Sequence, residues 1–357
     1  MKKFKIGVTC KDSSKVFSNG LTQNAYFLIL LLRNAGYDVD PVSQFEEAGK
    51  FLEELEIRLL SFDTVKNYDI LLEVCYSVTD DLLDYSLKNG LKLVTINYGN
   101  ILMLIQEDMI LAPTRTPAIN RGGFDVWISP HFEFSKGFVA ATSKAKVEIC
   151  PYIWNNKIFD KYCETNKMDP FYKNDKNLNK IGIFEPNINI IKTCVYPLIA
   201  LEKLERADKT LIKEILVFNG FDMKDNPKFK EVVTNFDIYT NKKLSMESRF
   251  PLPSILGNEL IGAILSHNFY CDLNYLTLEG LYSGVPVIHN SEFCKDAGYF
   301  YKTFDADDCI EKIKYAILNH DSDIENYKKS AKEVLYRFSV NNNENIKKYK
   351  YLIENIS

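Results

Sequence analysis

The segment from residue 272 to residue 290, which reads DLNYLTLEGLYSGVPVIHN, constrains the fold of this chain more than any other. Its apolar residues recur at helical spacing as far as Gly284, and glycine readily takes the left-handed conformation that ends a helix. The stretch VPVI that follows reads as a short buried strand with its proline at the start. A helix that enters a strand through a glycine turn is half of a nucleotide-binding α/β unit. Because this helix also carries one carboxylate, Glu279, the segment predicts a ligand site as well as a fold.

The length of the chain, 357 residues, exceeds the roughly 250–300 residues at which one hydrophobic core stops growing, so two domains are expected. Strand and helix patterns alternate in both halves, which predicts parallel sheets covered by helices on both faces. The predicted fold class is therefore α/β, with two doubly wound Rossmann-like domains facing a cleft. The stretch between the halves is rich in Asn, Lys, Asp and Tyr and has no sustained period, which is typical of a linker.

Domain boundaries follow from these patterns. A Rossmann-like domain is predicted over residues 1–150, a linker over 151–179, a second Rossmann-like domain over 180–340, and a terminal helix over 341–357 that could cross back to the first domain. In the second half the apolar periods predict a helix over 190–206, strands over 236–240 and 260–266, and separate helices over 306–318 and 325–338.

Charge and cysteine content exclude several classes of function. The net charge of −4, from 44 basic and 48 acidic residues, gives no general basic surface of the kind that binds nucleic acid. The eight cysteines include no C-x-x-C pair, which argues against a zinc or redox site and indicates reduced thiols in a cytoplasmic protein. No pair of histidines or carboxylates has metal-ligand spacing, so we expect neither a metal nor a resident cofactor.

The sequence predicts no membrane span. The start, MKKFKIGVTC, has the charges of a signal peptide but lacks the apolar core of ~7–15 residues that one requires. The longest apolar run, residues 25–32, is far shorter than the ~20 residues that span a bilayer. We therefore expect a soluble, cytoplasmic protein that at most associates with the inner face of a membrane.

The stretch NYLTLEGLYSGVPVIHN resembles the helix–strand element of GT-B glycosyltransferases, which transfer sugars from nucleotide-sugars. It is most similar to the large retaining family that includes sucrose and mannosyl transferases. In that family a Glu on this helix grips the nucleotide ribose, and Glu279 matches it. The family often has a second Glu eight positions earlier, near the transferred sugar, where this chain has Cys271. That departure leaves the donor sugar and the retaining mechanism open.

The whole chain also resembles a smaller group of bacterial proteins of unassigned function. The shared stretches are SNGLTQNAYFL near the start, IGIFEPNINIIKTCVYP in the middle, and the 272–290 segment with the GYFY that comes after it. This resemblance covers nearly the full length of the chain, but the group supplies no substrate.

The middle motif suits a diphosphate. Glu185-Pro186-Asn187 follows the predicted strand KIGIF and precedes a helix, a corner where backbone N–H groups can meet a phosphate. The resembling transferases have a basic residue after this strand that contacts the diphosphate, and Lys192, in the first turns of the predicted helix, is the nearest candidate. Arg249, expected just before another strand, could supply a second cation. Alternatively Asn187 caps the helix, and both cations lie on solvated surfaces.

The N-terminal half offers two positions. Asn19-Gly20 precede the first long helix, where GT-B proteins commonly place a glycine close to the donor phosphates or the acceptor; the alternative is a turn that only caps the helix. His131 follows the predicted strand DVWIS. A histidine at a comparable place contacts the donor sugar in several retaining transferases, and it could act as a base if the reaction inverts. A structural histidine fits the same position.

The loop after the strand VPVI is the last candidate region. Its residues His289, Asn290 and Ser291 would meet the nucleotide. His267, at the end of the strand AILS, is a weaker candidate, and His320 lies in a polar turn where we expect it to be exposed.

The resemblance implies a glycosyltransferase that moves a sugar from a UDP- or GDP-linked donor to a glycan or lipid-linked acceptor in bacterial surface polysaccharide synthesis, with retention as the favoured outcome. Three alternatives stay open: a nucleotide-sugar epimerase of the same architecture, a non-catalytic two-lobed binding protein, and a degenerate transferase that serves as an assembly partner. A binding protein would need a signal peptide and no ribose carboxylate, so Glu279 argues against it.

Overall fold

The computed structural model describes residues 4–11, 16–17, 20–43, 60–111, 124–174 and 177–357. The chain divides into two compact units, one formed by Met1–Asn155 together with Tyr336–Ser357 and the other by Asn156–Leu335. Each unit contains one parallel sheet with helices, as the alternating patterns in the sequence predict. The predicted α/β class with two doubly wound units is therefore confirmed.

The first unit is built on a seven-stranded parallel sheet with the order β3-β2-β1-β4-β5-β6-β7. Its strands are β1 (Lys5–Thr9), β2 (Asp38–Ser43), β3 (Leu60–Ser61), β4 (Ile70–Glu73), β5 (Lys92–Asn97), β6 (Asp125–Ile128) and β7 (Val147–Ile149). Every residue of β4 is buried, as expected of a central strand that is covered on both faces. Among the described residues before 155, the helices are α1 (Gly20–Asn34), α2 (Asp80–Asn89), α3 (Ile101–Leu111) and α4 (Lys136–Ser143), with 3-10 turns at Phe62–Asn67 and Pro130–Ser135.

The second unit has a six-stranded parallel sheet with the order β10-β9-β8-β11-β12-β13. Its strands are β8 (Lys180–Ile183), β9 (Glu214–Val217), β10 (Leu244–Met246), β11 (Ala263–Leu265), β12 (Val287–His289) and β13 (Tyr299–Phe300). The order matches that of the first six strands of the other sheet. In this arrangement the chain changes direction across the sheet between β8 and β11, and ligands of open α/β sheets bind beyond the carboxyl ends of the strands at that point.

The helices of the second unit are α5 (Lys157–Asn166), α6 (Val195–Ala207), α7 (Pro227–Val233), α8 (Asp237–Thr240), α9 (Leu252–Gly257), α10 (Tyr275–Ser283) and α11 (Ala306–Phe338), with 3-10 turns at Phe221–Asp225 and Glu292–Cys294. Helix α10 and strand β12 are the helix and strand predicted within residues 272–290. Asn274 caps the helix by accepting a hydrogen bond from the Thr277 N–H at 2.8 Å, and Gly284 ends it with a φ of 76°.

Four predictions about the chain beyond residue 150 are wrong in detail. Helix α5 lies within the stretch assigned to a linker. Residues 237–240 are helical rather than a strand, because the buried carboxylate of Glu202 accepts hydrogen bonds from the Asp237 and Ile238 N–H groups at 2.9 and 3.1 Å. The helix predicted from residue 190 begins only at Val195. The two helices predicted over 306–318 and 325–338 are the single 33-residue helix α11.

The reason for the long helix is visible at His320, which is buried and not exposed as predicted. Its Nδ1 lies 2.7 Å from the Tyr299 hydroxyl and its Nε2 lies 3.1 Å from the Gly284 carbonyl oxygen. Tyr172 and Tyr327 pack edge-on against the same ring. The contacts around His320 therefore hold the polar middle of α11 in a helical conformation.

The last helix, α12 (Asn343–Glu354), belongs to the first unit. Tyr349 is completely buried, donates a hydrogen bond from its hydroxyl to the Pro151 carbonyl at 2.8 Å, and lies edge-on to Trp127 with 6.2 Å between the ring centroids. The chain therefore returns to the first unit within the last turn of α11, at Tyr336.

Candidate functional site

Glu185 connects two strands at the carboxyl end of the second sheet. It follows β8, is 3% exposed, and its Oε1 accepts hydrogen bonds from the Ser266 hydroxyl at 2.9 Å and the His267 N–H at 2.8 Å. Ser266 and His267 follow β11, so the contact spans the point where the strand order changes direction. Burial raises the pKa of the Glu185 carboxyl to about 7, although the hydrogen bonds from His267 and Ser266 partly oppose that effect.

A hydrogen-bond network continues from this point to the next two strands. The Asn268 N–H donates to Asn290 Oδ1 at 2.9 Å, and Asn290 Nδ2 donates to the Asn268 carbonyl at 2.7 Å and to the Thr303 hydroxyl at 3.0 Å. Asn290 was predicted as a nucleotide contact, but its amide already bonds within the protein. Its structural role is to join the loops after β11 and β12.

The loop after β8 is folded around Asn187, which has a φ of 54°. Its Oδ1 accepts a hydrogen bond from the Cys194 N–H at 2.8 Å, and its Nδ2 donates to the carbonyl oxygens of Glu185 and Asn219. Asn187 thus stabilises the turn that leads into α6. Lys192 lies in this loop, three residues before the helix and not in its first turns, and its side chain is half-buried. A lysine in the loop brings its charge to the carboxyl end of β8.

Arg249 is exposed in the loop between β10 and α9. Arg249 therefore follows a strand, whereas the sequence predicts that it precedes one. This corrected position puts Arg249, like Lys192, beyond the carboxyl end of a strand of the second sheet. Ligands of such sheets bind at that edge.

Glu279 is the fifth residue of the nine-residue helix α10 and is 5% exposed. One turn later, the Tyr282 hydroxyl donates to Asp160 Oδ1 at 2.9 Å and accepts from Asn156 Nδ2 at 3.0 Å. Burial raises the pKa of the neighbouring Cys163 thiol to about 12, and the charges of Asp160 and Glu279 contribute to that rise. The start of the second unit, which includes α5, therefore packs around the helix that carries Glu279.

A close approach of helix to sheet fixes the position of α10. A Cβ atom on Gly280 would lie 2.6 Å from Val287 Cγ2 and 3.1 Å from Ile264 Cδ1, so the glycine allows the helix to contact β12 and β11 directly. Cys271, which stands where the resembling family has its second Glu, is 3% exposed in the loop before the helix.

The loop after β12 contains a histidine whose two ring nitrogens both bond within the protein. His289 Nε2 donates to the Ala297 carbonyl at 2.9 Å, and its Nδ1 accepts from the Ser291 N–H at 3.2 Å. The ring therefore holds the loop, which weakens the prediction that His289 contacts the nucleotide. The hydroxyl of Ser291 has a different status, because it is buried without a hydrogen-bond partner among the described residues.

The two described residues predicted for the first unit lie in the turn after β6 and at the start of α1. His131 is buried in the 3-10 turn directly after β6, with Phe132 and Tyr152 against its ring. Gly20 is the first residue of α1, and its carbonyl accepts a hydrogen bond from Asn24 Nδ2 at 2.9 Å. Asn19 lies outside the described residues.

Several buried polar atoms at the carboxyl end of the second sheet have no hydrogen-bond partner among the described residues, and most of them belong to residues that the sequence does not mark as candidates. Within the described parts of the chain, five buried side-chain atoms in these loops and the start of α6 have no partner: Asn189 Oδ1, Tyr196 Oη, Asn219 Oδ1, His267 Nε2 and Ser291 Oγ. A buried polar atom without a partner is costly, and such atoms often mark a place for a ligand or a water molecule. The only sequence signal for them is their position after a strand.

The described ranges contain no cluster of three or more His, Cys, Asp or Glu side chains arranged to hold a metal ion. Among their helices, none combines the length and the apolar character needed to cross a bilayer. All eight cysteines are free and buried. The candidate site is therefore made of loop backbone, amides, hydroxyls, histidines and a few charged side chains.

Buried histidines predict how stability depends on pH. Burial lowers the pKa of His267, His289 and His320 to about 4, from 6.5. A folded-state pKa below the unfolded value gives stability that is present above pH 6.5 and lost as the pH falls towards 4, at about 3 kcal/mol per histidine. Glu185 has the opposite sign, since its raised pKa stabilises the protein below pH 4.5 and that gain is lost as the pH rises to 7. Burial also raises the pKa of Asp160 and of Asp272, and these two carboxyls act in the same direction as Glu185. The large shifts are those of the three histidines against Glu185 alone, so the free energy of unfolding should fall between pH 6.5 and pH 4.

Urea denaturation at several pH values measures this slope. In a His320→Gln variant the slope of the free energy of unfolding against pH should decrease by the equivalent of about one bound proton, because one buried titrating group is removed. An unchanged slope in this variant would show that His320 does not titrate with the depressed pKa.

Solved glycosyltransferases share this fold over the whole chain. A glycosyltransferase from Rickettsia africae ESF-5 has a TM-score of 0.58 at 15% identity, with 99% of this chain and 100% of that chain covered. Sucrose-phosphate synthase from Thermosynechococcus elongatus has a TM-score of 0.59 at 11% identity, with 98% of each chain covered. Anabaena HepE, solved with UDP-glucose, has a TM-score of 0.58 at 12% identity, with 98% of this chain and 100% of that chain covered. The fold is thus that of the GT-B glycosyltransferases, as the resemblance of residues 272–290 predicts.

No curated protein sequence matches the chain. A family model does match, over residues 5–353, and its description is "Protein of unknown function (DUF2827)". The match agrees with the predicted likeness to a family of unassigned function and includes nearly all of both units. The chain, which has the GT-B fold, is therefore a member of the DUF2827 family of proteins of unknown function.

Proposed function

We propose that this protein is a glycosyltransferase that moves a sugar from a UDP- or GDP-linked donor to a glycan or lipid-linked acceptor. The observation that carries the proposal is the buried carboxylate of Glu279, one turn into the helix that enters β12, in a chain whose fold matches glycosyltransferases over 98–99% of its length. In the proposed complex the Glu279 carboxylate would accept hydrogen bonds from the two vicinal hydroxyls of the nucleotide ribose, the role that the resembling transferases give to the Glu on this helix.

The second unit would bind the nucleotide-sugar. The loop after β8, which contains Glu185, Asn187 and Lys192, would present backbone N–H groups and one positive charge to the diphosphate. Arg249, in the loop after β10, would add a second cation. These charges would stabilise the negative charge that develops on the leaving diphosphate, and no resident metal or cofactor is required. Ser291 would contact the nucleotide through its buried hydroxyl, with His289 and Asn290 holding its loop.

The first unit would bind the acceptor, by analogy with the resembling transferases. Asn19 and Gly20 would approach the donor phosphates or the acceptor. His131 would contact the transferred sugar, or would serve as the base if the reaction inverts. We propose retention of configuration and a role in bacterial surface polysaccharide synthesis at the inner face of the membrane.

A thermal-shift screen with UDP, GDP, CMP and their sugars tests donor binding. A ligand that binds only the folded state raises the melting temperature because it adds to the free energy of unfolding. The added free energy is about 2.7 kcal/mol when the ligand concentration is 100 times its Kd. We expect a shift with one nucleoside diphosphate and a shift with its sugar conjugate. If no nucleotide changes the melting temperature, the transferase proposal fails.

The reaction product distinguishes transfer from epimerisation. With the donor that binds, a transferase should release the nucleoside diphosphate faster when an acceptor glycan is added. An epimerase of the same fold would instead return an isomerised sugar without any acceptor, and that product would overturn transfer.

A further inference from the structure

His267 and Tyr196 form a stacked pair beside Glu185. His267 follows β11 and is 4% exposed, while Tyr196 lies in the first turn of α6. Their ring centroids are 4.1 Å apart with an angle of 30° between the planes. Each ring carries one buried polar atom, His267 Nε2 and the Tyr196 hydroxyl, that has no hydrogen-bond partner in the described ranges.

The neighbouring hydrogen bonds define what His267 offers to a ligand. The Tyr301 hydroxyl donates its one proton to the Ser266 carbonyl at 3.0 Å, and His267 Nδ1 lies 2.9 Å from the same hydroxyl oxygen. His267 must therefore donate through Nδ1, which leaves Nε2 with a lone pair. Burial lowers the pKa of the ring to about 4, so the ring is neutral at pH 7. His267 Nε2 is thus a hydrogen-bond acceptor that awaits a donor.

The two unsatisfied atoms together suit an alcohol. A hydroxyl group can donate to His267 Nε2 and accept from the Tyr196 hydroxyl at the same time. A phosphate oxygen offers only acceptors and would leave His267 Nε2 unpaired. The stacked pair therefore favours the hydroxyl of a carbohydrate over the diphosphate of a nucleotide.

Phe304 covers this pair. Its ring centroid lies 5.0 Å from that of His267 and 5.4 Å from that of Tyr196, yet the residue is 55% exposed. Its backbone has a φ of 62°, an unfavourable conformation for a bulky side chain that costs on the order of 1–3 kcal/mol. Strained residues of this kind are typical of ligand clamps. Movement of this exposed ring would open the two buried atoms to a ligand.

We propose that His267 Nε2 and the Tyr196 hydroxyl bind one hydroxyl group of the sugar that the nucleotide donor carries. The inference rests on the proposed function, because it names the donor sugar as the ligand. With this contact, His267 and Tyr196 would help to determine which sugar the protein binds. The resembling family has a Glu near the transferred sugar, and this chain has Cys271 at that position.

Calorimetric titration of a Tyr196→Phe variant tests the proposal, with UDP and UDP-glucose as one pair of probes and GDP and GDP-mannose as the other. The variant removes only the hydroxyl and keeps the stacked ring. We expect the nucleotide-sugar to bind about tenfold more weakly and the free nucleotide to bind as in the wild type. His267→Phe should give the same pattern. Tyr299→Phe, which removes a buried hydroxyl that contacts His320, is the matched control and should leave both affinities unchanged.

The outcomes separate this inference from the proposed function. If neither pair of probes binds the wild-type protein, the proposed function fails and the sugar subsite fails with it. If the nucleotide-sugar binds wild type and Tyr196→Phe equally well, the subsite alone is overturned, and the two atoms hold at most a water molecule. An equal loss for the free nucleotide and its sugar conjugate also overturns it, because the pair would then contact the nucleotide.

Discussion

Replacement of Glu279 by Gln should weaken binding of the nucleotide by about tenfold or more. An ionised carboxylate accepts two charge-assisted hydrogen bonds from a ribose, each worth about 1.5–3 kcal/mol, whereas the Gln amide oxygen accepts one neutral bond of about 0.5–1.5 kcal/mol. The difference of at least about 1.5 kcal/mol corresponds to that loss of affinity. Calorimetric titration with the nucleoside diphosphate identified by thermal shift measures it.

Tyr282→Phe is the matched control for Glu279→Gln. It lies one turn away on the same helix and removes hydrogen bonds to Asp160 and Asn156, so it should lower the melting temperature of the unliganded protein. It should leave the nucleotide affinity unchanged, because Tyr282 has no proposed ligand contact. If both variants lose affinity in proportion to their loss of stability, Glu279 acts through the fold and not through the ribose.

The helix, glycine turn and strand around Glu279 could be predicted because their signals are local. The cap by Asn274, the left-handed Gly284 and the buried strand β12 all lie within sixteen residues of sequence, and each follows from residue type. The same holds for most strands of both sheets, whose apolar runs are continuous. Local agreement between pattern and structure is therefore strongest where the candidate ribose contact lies.

The rest of the candidate site depends on contacts between residues that are distant in sequence. Glu185 meets Ser266 and His267 across about eighty residues, and no local pattern records that pairing. The loop that contains Lys192 is held by Asn187, whose Oδ1 accepts a hydrogen bond from the Cys194 N–H. The apolar period predicts a helical turn at this place instead. Sequence periodicity therefore indicates which loops form the site but not which atoms in them remain unsatisfied.

The helix predicted as a strand has the same explanation. Residues 237–240 have a strand-like composition, but Glu202 on α6 caps their N–H groups from thirty-five residues away. A carboxylate in this position favours a helix start, because it pairs with N–H groups that would otherwise be unsatisfied. Tertiary contact thus overrides local propensity in the segment that leads into β10 and towards Arg249.

The largest loss of stability is expected from Lys243→Met, which should lower the free energy of unfolding by about 3–5 kcal/mol. Lys243 Nζ lies 2.7 Å from Glu205 Oε2, and the Glu205 side chain is completely buried. Asn241 Nδ2 donates to the other carboxylate oxygen at 2.8 Å. Without the lysine, the carboxylate keeps one neutral partner and remains a buried, uncompensated charge. Urea denaturation of the variant measures the change.

A double-mutant cycle identifies the origin of that loss. Glu205→Leu combined with Lys243→Met removes both charges, so the pair should cost much less than the sum of the two single variants. Lys228→Met is the control, because its partner Glu231 and the lysine itself are 70% and 90% exposed and such pairs contribute about 0–1 kcal/mol. Additive losses at Glu205 and Lys243 would mean that the two side chains stabilise α6 and the segment before β10 independently. A large favourable coupling instead makes this buried pair the contact that fixes α6 against the chain leading to Arg249.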